Sequence, residues 1–167
     1  VHYKVNEQTN KKLKKDNLLL IDSGGQYRMG TTDLTRTIAI GRPKKKMIDI
    51  FTCVLKGMIN ISSLNWPDGL SGQHIDSLAR VSLWSLGLDY DHGTGHGIGS
   101  YLSVHEGPQG ISKKNTVPLK PGMLISNEPG YYETDQFGIR IENILLVKKV
   151  PKIKGTTNQM LAFETLT

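Results

Sequence analysis

The sequence predicts an α+β protein, on three observations. Strand-length runs rich in apolar and β-branched residues occupy both ends of the chain, at 18–22, 31–40, 123–128 and 138–147. Two longer stretches with helical periodicity lie between them, starting at Met47 and Gln73. Turns bearing glycine or proline separate these segments, so the pattern is a sheet with antiparallel pairing covered by helices.

Taken in order, His2 and Tyr3 begin a short strand and the polar run Asn6 to Lys15 is a loop. Leu18-Leu-Leu-Ile-Asp22 is an apolar run ended by Ser23-Gly24-Gly25, which puts Asp22 at a strand tip. Thr31 to Ile40 follows, with Leu34, Ile38 and Ile40 on one face and Asp33, Thr35 and Thr37 on the other. If the two strands form a hairpin turning at Tyr27 to Gly30, Asp22 and Asp33 become near-neighbours across it. Carboxylates that close repel, so the pair calls for a shared proton or a cation. The first helix carries Met47, Phe51, Val54, Leu55, Met58 and Ile61 on one face, with Cys53 along it. The second carries Ile75, Leu78, Ala79, Ser82, Leu83 and Leu86 and stops at Gly87. Trp66-Pro67-Asp68-Gly69 breaks the chain between them, and Met47, Met58 and Trp84 are expected in the core. Leu119-Lys-Pro-Gly122 launches the strand Met123 to Glu128, stopped by Pro129-Gly130. A last long strand, Gly138 to Val147, places Arg140 and Glu142 two apart on one face, as a buried ion pair or as part of a site. Lys154 to Gln159 is a loop, and Met160 to Phe163 is a short apolar stretch.

Composition narrows the function classes. A chain of 167 residues suits one domain, 1–167, with a core that needs no disulfide. Its single cysteine, Cys53, excludes an internal disulfide and a multi-cysteine zinc ribbon and suits a reducing compartment. No apolar run approaches the roughly 20 residues that span a membrane, and no signal-peptide pattern opens the chain. The expectation is a cytoplasmic protein without a membrane partner. The net charge of +6 comes largely from clusters at 11–15, 42–46 and 148–149, which read as solvated turns. Without aromatic platforms or a binding module, they predict no nucleic-acid partner. The chain opens at Val1 without an initiator Met, which suggests that a segment normally precedes it.

Chemistry concentrates in His92-Gly-Thr-Gly-His-Gly-Ile-Gly-Ser-Tyr-Leu-Ser-Val-His105, which holds three of the five histidines. Gly93, Gly95, Gly97 and Gly99 would each cost a helix about 1 kcal/mol relative to alanine, so the stretch is not a zinc-binding helix. It reads as extended or turning backbone pressed close to a ligand or another strand. Four carboxylates on strands, Asp22, Asp33, Glu128 and Glu142, together with His96 form an oxygen-rich set. Two divalent cations would neutralise those charges, and oxygen ligands with one imidazole suit manganese, cobalt or zinc. Such a pair activates a bridging water, so the chemistry implied is metal-assisted hydrolysis. The remaining histidines would then be free to donate hydrogen bonds to a scissile carbonyl or its oxyanion.

The segments Leu20-Ile-Asp-Ser-Gly24, Gly30-Thr-Thr-Asp-Leu-Thr-Arg-Thr37, His92-Gly-Thr-Gly-His-Gly-Ile-Gly99, Val104-His-Glu-Gly-Pro108, Asn127-Glu-Pro-Gly-Tyr-Tyr132 and Gly138-Ile-Arg-Ile-Glu-Asn143 occur in one order over nearly the whole chain. They resemble the catalytic domain of the Xaa-Pro aminopeptidase (aminopeptidase P) family of pita-bread metallopeptidases. The resemblance implies a pita-bread fold, a curved and mostly antiparallel sheet covered by helices, here truncated at its N-terminus and without the creatinase-like domains that precede it. It implies a dinuclear site, usually manganese, held by Asp22, Asp33, His96, Glu128 and Glu142. Asp33 and Glu142 would bridge the ions, and Glu128 would be the base acting on the bridging water. His105 would stabilise the tetrahedral intermediate, His92 would lie near the substrate proline ring, and His2 resembles a third active-site histidine. Arg140 matches an arginine that supports the acidic cluster and borders the substrate. The implied substrates are peptides with proline second, and the implied partners are a second copy of the chain or the missing N-terminal segment. Prolidase, which cleaves Xaa-Pro dipeptides, and an inactive fragment that binds metal or partner chains are the competing readings.

Overall fold

The longest strands, β1 (Asn17–Tyr27) and β2 (Gly30–Ile40), form an antiparallel hairpin in a computed structural model that describes residues 4–152 and 154–167. His2, with its expected strand, lies outside the described residues. β1 does not stop at Ser23-Gly24-Gly25. It continues to Tyr27, which pairs with Gly30 across a two-residue turn. The glycines serve close packing instead, since a Cβ on Gly24 would sit 2.6 Å from the Thr32 carbonyl oxygen. Asp22 is therefore mid-strand, opposite Thr35, while Asp33 is opposite Gly24. The two carboxylates are diagonal neighbours, within the register expected.

The face of β2 that turns inward is the polar one. Asp33 and Thr35 are buried, whereas Ile38 on the other face is 46% exposed and Ile21 on β1 is 42% exposed. The reason is a set of hydrogen bonds to the segment 140–142: the Thr37 hydroxyl donates to the Arg140 carbonyl at 2.9 Å, and the Glu142 N–H donates to the Thr35 carbonyl at 3.1 Å.

The helices are α1 (Lys45–Ser62) and α2 (Gly72–Trp84). They pack on each other where Gly57 meets the backbone of Ala79, which leaves no room for a side chain at Gly57. His74 reaches back from α2 with Nδ1 3.1 Å from the Ser71 N–H, so this histidine is a cap on the helix start. Trp84 is 43% exposed, contrary to its expected place in the core, because it is the last residue of α2 and falls outside that helix's buried stripe of Ile75, Ala79 and Leu83.

Between the helices, β3 (Asn65–Pro67) is a strand where a simple break is expected, and it carries the buried Trp66. It edges a four-stranded antiparallel sheet of order β3-β10-β9-β6, with β6 (Leu124–Asn127), β9 (Asn143–Lys149) and β10 (Met160–Thr165). The expected strand 138–147 is broken. Its first part, β8 (Phe137–Arg140), pairs with β7 (Gly130–Glu133), and Ile141 and Glu142 form the break before β9. A further two-residue ladder joins β4 (Gly95–His96) to β5 (Gly110–Ile111). Two apolar clusters hold these layers together. One centres on Trp66, Ile75, Ile125, Leu145 and Leu161, and the other on Ile50, Val54, Leu83 and Ile139. Removing one such side chain from water contributes about 1.5–3 kcal/mol. The lysine-rich clusters are exposed, as expected, but not all are turns: 11–15 is a loop, whereas Lys45 and Lys46 begin α1 and Lys148 and Lys149 end β9.

Candidate metal centre

The break between β8 and β9 lies beside the hairpin, and β4 lies beside the end of β6. Glycine makes the second approach feasible, because a Cβ on Gly95 would overlap the Ser126 carbonyl oxygen and one on Gly97 would overlap that of Glu106. The expectation that these glycines are pressed against another segment is met. Around the junction is a cavity of about 320 Å³, bordered by Asp22, Asp33, His92, His96, His105, Glu128 and Arg140. Glu142 is buried close by, its side chain within the cluster formed with Asp33 and His96. One ligand-type atom from each of Asp33, His96 and Glu142 lies within 4.8 Å of the others.

His96 is oriented by its neighbours. Its Nδ1 faces the Gly97 carbonyl oxygen at 2.9 Å and its backbone N–H donates to the Ser126 hydroxyl oxygen at 2.9 Å. With Nδ1–H donating to Gly97, Nε2 is the nitrogen turned toward the carboxylates, and it would offer its lone pair once a cation replaced its proton. That nitrogen lies 3.1 Å from Glu128 Oε1 and 3.4 Å from Asp33 Oδ2. Neither contact has hydrogen-bond alignment, and Nε2 and Glu142 Oε1 are both buried without a hydrogen-bond partner among the described residues. Buried polar atoms are normally satisfied. Two orphaned ligand-type atoms within one cluster of oxygen and imidazole donors fit a divalent cation well.

Charge supports the same fit. Burial lowers the pKa of the His96 imidazole, but Asp33 and Glu128 more than offset this and push it up to about 10. Glu142 is pushed up to about 8, first by burial and then by the Glu128 charge. Protons thus neutralise a site that has too many carboxylates for its fixed cations. The Thr35 hydroxyl donates to Glu142 Oε2 at 2.7 Å and leaves Oε1 free.

Asp22 stands apart from the buried cluster. Its carboxylate is 48% exposed and accepts a hydrogen bond from Arg140 Nη2. Arg140 does not pair with Glu142, which corrects the buried-pair reading of these two residues. The break after β8 separates them, and the guanidinium turns to Asp22, to the Tyr132 hydroxyl at 2.8 Å and to Thr35 Oγ1 at 3.3 Å. His92 is also less free than expected. Nδ1 faces the Gly93 carbonyl oxygen at 2.8 Å and Nε2 faces the Tyr132 hydroxyl at 2.9 Å, while burial lowers its pKa. It offers the cavity a ring rather than a donor. His105 is exposed and packs edge-on to His96 with centroids 4.3 Å apart, and no hydrogen bond engages it among the described residues.

Three supporting residues escape a reading of charge and spacing. Ser126 links His96 to Glu128 by donating to Glu128 Oε1 at 3.0 Å, Thr35 links Glu142 to Arg140, and Tyr132 links Arg140 to His92. The run Glu-Pro-Gly-Tyr-Tyr contains Tyr132, but nothing in it distinguishes this tyrosine from Tyr131.

The sequence matches metallopeptidase family M24 over residues 1–149. It is 48% identical over 170 residues to Xaa-Pro aminopeptidase 1 of Dictyostelium discoideum, an alignment covering 100% of this chain and 27% of that protein. The crystal structure of X-prolyl aminopeptidase from Caenorhabditis elegans, described as a cytosolic enzyme with a di-nuclear active site, superposes with a TM-score of 0.93 at 43% identity. That match covers 99% of this chain and 27% of the other. Prolidase from Pyrococcus furiosus superposes with a TM-score of 0.76 at 34% identity, covering 83% of this chain and 40% of the other. The pita-bread fold implied by the sequence motifs is thus present. The chain spans about a quarter of the length of the curated relatives it matches. On the match to residues 1–149 and these identities, the chain belongs to metallopeptidase family M24.

Proposed function

We propose that this chain carries the catalytic centre of a dinuclear-metal Xaa-Pro aminopeptidase. The observation that carries the reading is the pair of orphaned, buried ligand atoms, His96 Nε2 and Glu142 Oε1, in a cluster with Asp33. Asp22, Asp33, His96, Glu128 and Glu142 would hold two divalent ions, manganese in the first instance, with zinc or cobalt as alternatives. When bound, the ions would lower the pKa of a water between them and polarise the scissile carbonyl.

The remaining work falls to the protein. Glu128, held by Ser126 and facing the cavity, takes the proton of the attacking water. His105 donates a hydrogen bond to the oxygen that gains charge in the tetrahedral intermediate, a role open to it because its ring is uncommitted. His92 presents a ring for the substrate proline to pack on, and Arg140 keeps the Asp22 carboxylate in place. A substrate with an N-terminal residue followed by proline is proposed from the names of the relatives, and the greater likeness to X-prolyl aminopeptidase than to prolidase favours peptides longer than two residues. A cytoplasmic location is proposed because the C. elegans enzyme is described as cytosolic.

The test is hydrolysis of an Xaa-Pro-Xaa peptide by the purified chain with added manganese, beside an Xaa-Ala-Xaa peptide and a chelated control. Release of the first residue that needs both proline and metal is the expected result. Equal release from the alanine peptide, or release in chelator, would overturn the assignment. No release with manganese still bound would overturn activity for this chain by itself.

A further inference from the structure

The buried Asp76–Arg80 pair on α2 has no part in the roles above, yet its hydrogen bonds lead toward the site. Asp76 is 1% exposed and Arg80 is 2% exposed. A buried ion pair is weak evidence for stability, since apolar residues of similar volume do as well. Arg80, however, uses all five of its N–H donors. Nε and Nη2 donate to the two Asp76 oxygens at 2.8 and 3.2 Å. The other three go to the segment that leads into the histidine stretch: Nη1 to Asp89 Oδ1 at 2.8 Å and the Tyr90 carbonyl at 2.7 Å, and Nη2 to the His92 carbonyl at 2.8 Å. Asp76 Oδ1 accepts from the Thr94 hydroxyl at 2.6 Å, and the Thr94 carbonyl accepts from the backbone N–H of Glu128 at 2.7 Å. The guanidinium also lies 3.8 Å from the centroid of the Tyr90 ring, and that ring lies 4.8 Å from the His92 ring.

We infer that Asp76 and Arg80 are positioning residues: together they fix the backbone from Tyr90 to Thr94, and so set where the His92 ring and the start of Glu128 stand in the cavity. The kinetic consequence rests on the proposed peptidase reading; the geometric one does not. Charge balance within the helix would need one bond between the two residues, not five donors spread over four acceptor residues. A lysine would keep the charge but lose the planar fork that grips two carbonyls and two carboxylates together.

The test compares Arg80→Lys, Arg80→Gln and Thr94→Val with the unaltered chain. The first readout is the ¹H–¹⁵N signals of the His92 imidazole without metal, and the second is Xaa-Pro-Xaa hydrolysis with manganese, with bound manganese counted in each variant. Displaced His92 signals, unchanged manganese stoichiometry and a fall in kcat/KM of about tenfold or more are expected, because a small misplacement at a reacting group is costly. His92 signals in place and kcat/KM within about twofold would overturn the inference, since a merely structural pair moves neither. If the Arg80 variants do not fold, the near-isosteric Thr94→Val, which leaves the pair intact, decides alone by the same two outcomes. If the unaltered chain hydrolyses nothing, activity of this chain by itself fails separately, and the His92 signals still uphold or overturn the positioning role.

Discussion

His96 Nε2 sits 3.1 Å from Glu128 Oε1, in a ring whose other nitrogen is held by Gly97. The imidazole is therefore aimed at the carboxylates by the protein alone, and the pH dependence of the metal-free chain follows from it. His96 has its pKa raised from 6.5 to about 10, and Glu142 from 4.5 to about 8. Both folded-state values lie above the unfolded ones, so the folded chain holds protons that the unfolded chain releases. The stability these groups contribute is full below the unfolded values and is lost as pH rises through the folded values. The metal-free melting temperature should fall as pH climbs through this window, and the increment from added manganese should grow, because bound metal takes the place of those protons. Thermal melts with and without manganese check both trends.

Asp33→Asn should weaken manganese binding and abolish hydrolysis, because it removes a charge from the cluster with His96 and Glu142. Titration calorimetry beside the peptide assay reads the two losses together. Unchanged turnover would remove Asp33 from the site.

His105→Ala should depress kcat by about 100-fold, the scale of losing one oxyanion donor, while leaving bound manganese unchanged. Metal analysis of the purified variant is the deciding readout, since loss of metal would make His105 a ligand.

Gly95→Ala should destabilise the chain by about 1–3 kcal/mol or more, the range for overpacking a close contact. The new Cβ has to displace the Ser126 carbonyl, and with it the serine that ties His96 to Glu128. Urea unfolding measures the loss, and manganese affinity should fall with it.

Much of this architecture is legible in the residues. The hairpin register follows from the turn between Tyr27 and Gly30 and the strand periodicity on either side. Both helices follow from their apolar stripes, because periodicity reports burial directly. The failures have physical causes. Gly24 and Gly25 read as a strand end, but here they allow close packing within a strand. The break at Ile141 and Glu142 is invisible in the run from Gly138 to Val147, which has no proline or internal glycine to mark it, because what interrupts it is the hairpin docking through Thr35 and Thr37. Short strands such as β3 and β5 owe their existence to distant partners rather than to local propensity. At the candidate site, charged and imidazole residues declare themselves by type. Ser126, Thr35 and Tyr132 act through hydroxyl groups whose partners appear only in three dimensions.

The measurement closest to the central claim is anomalous diffraction at the manganese edge from crystals of this chain grown with manganese. Two peaks, each within coordination distance of Asp33 and Glu142 and one also beside His96, are the predicted result. A single peak, or peaks away from this cluster, would contradict a dinuclear centre built by Asp22, Asp33, His96, Glu128 and Glu142.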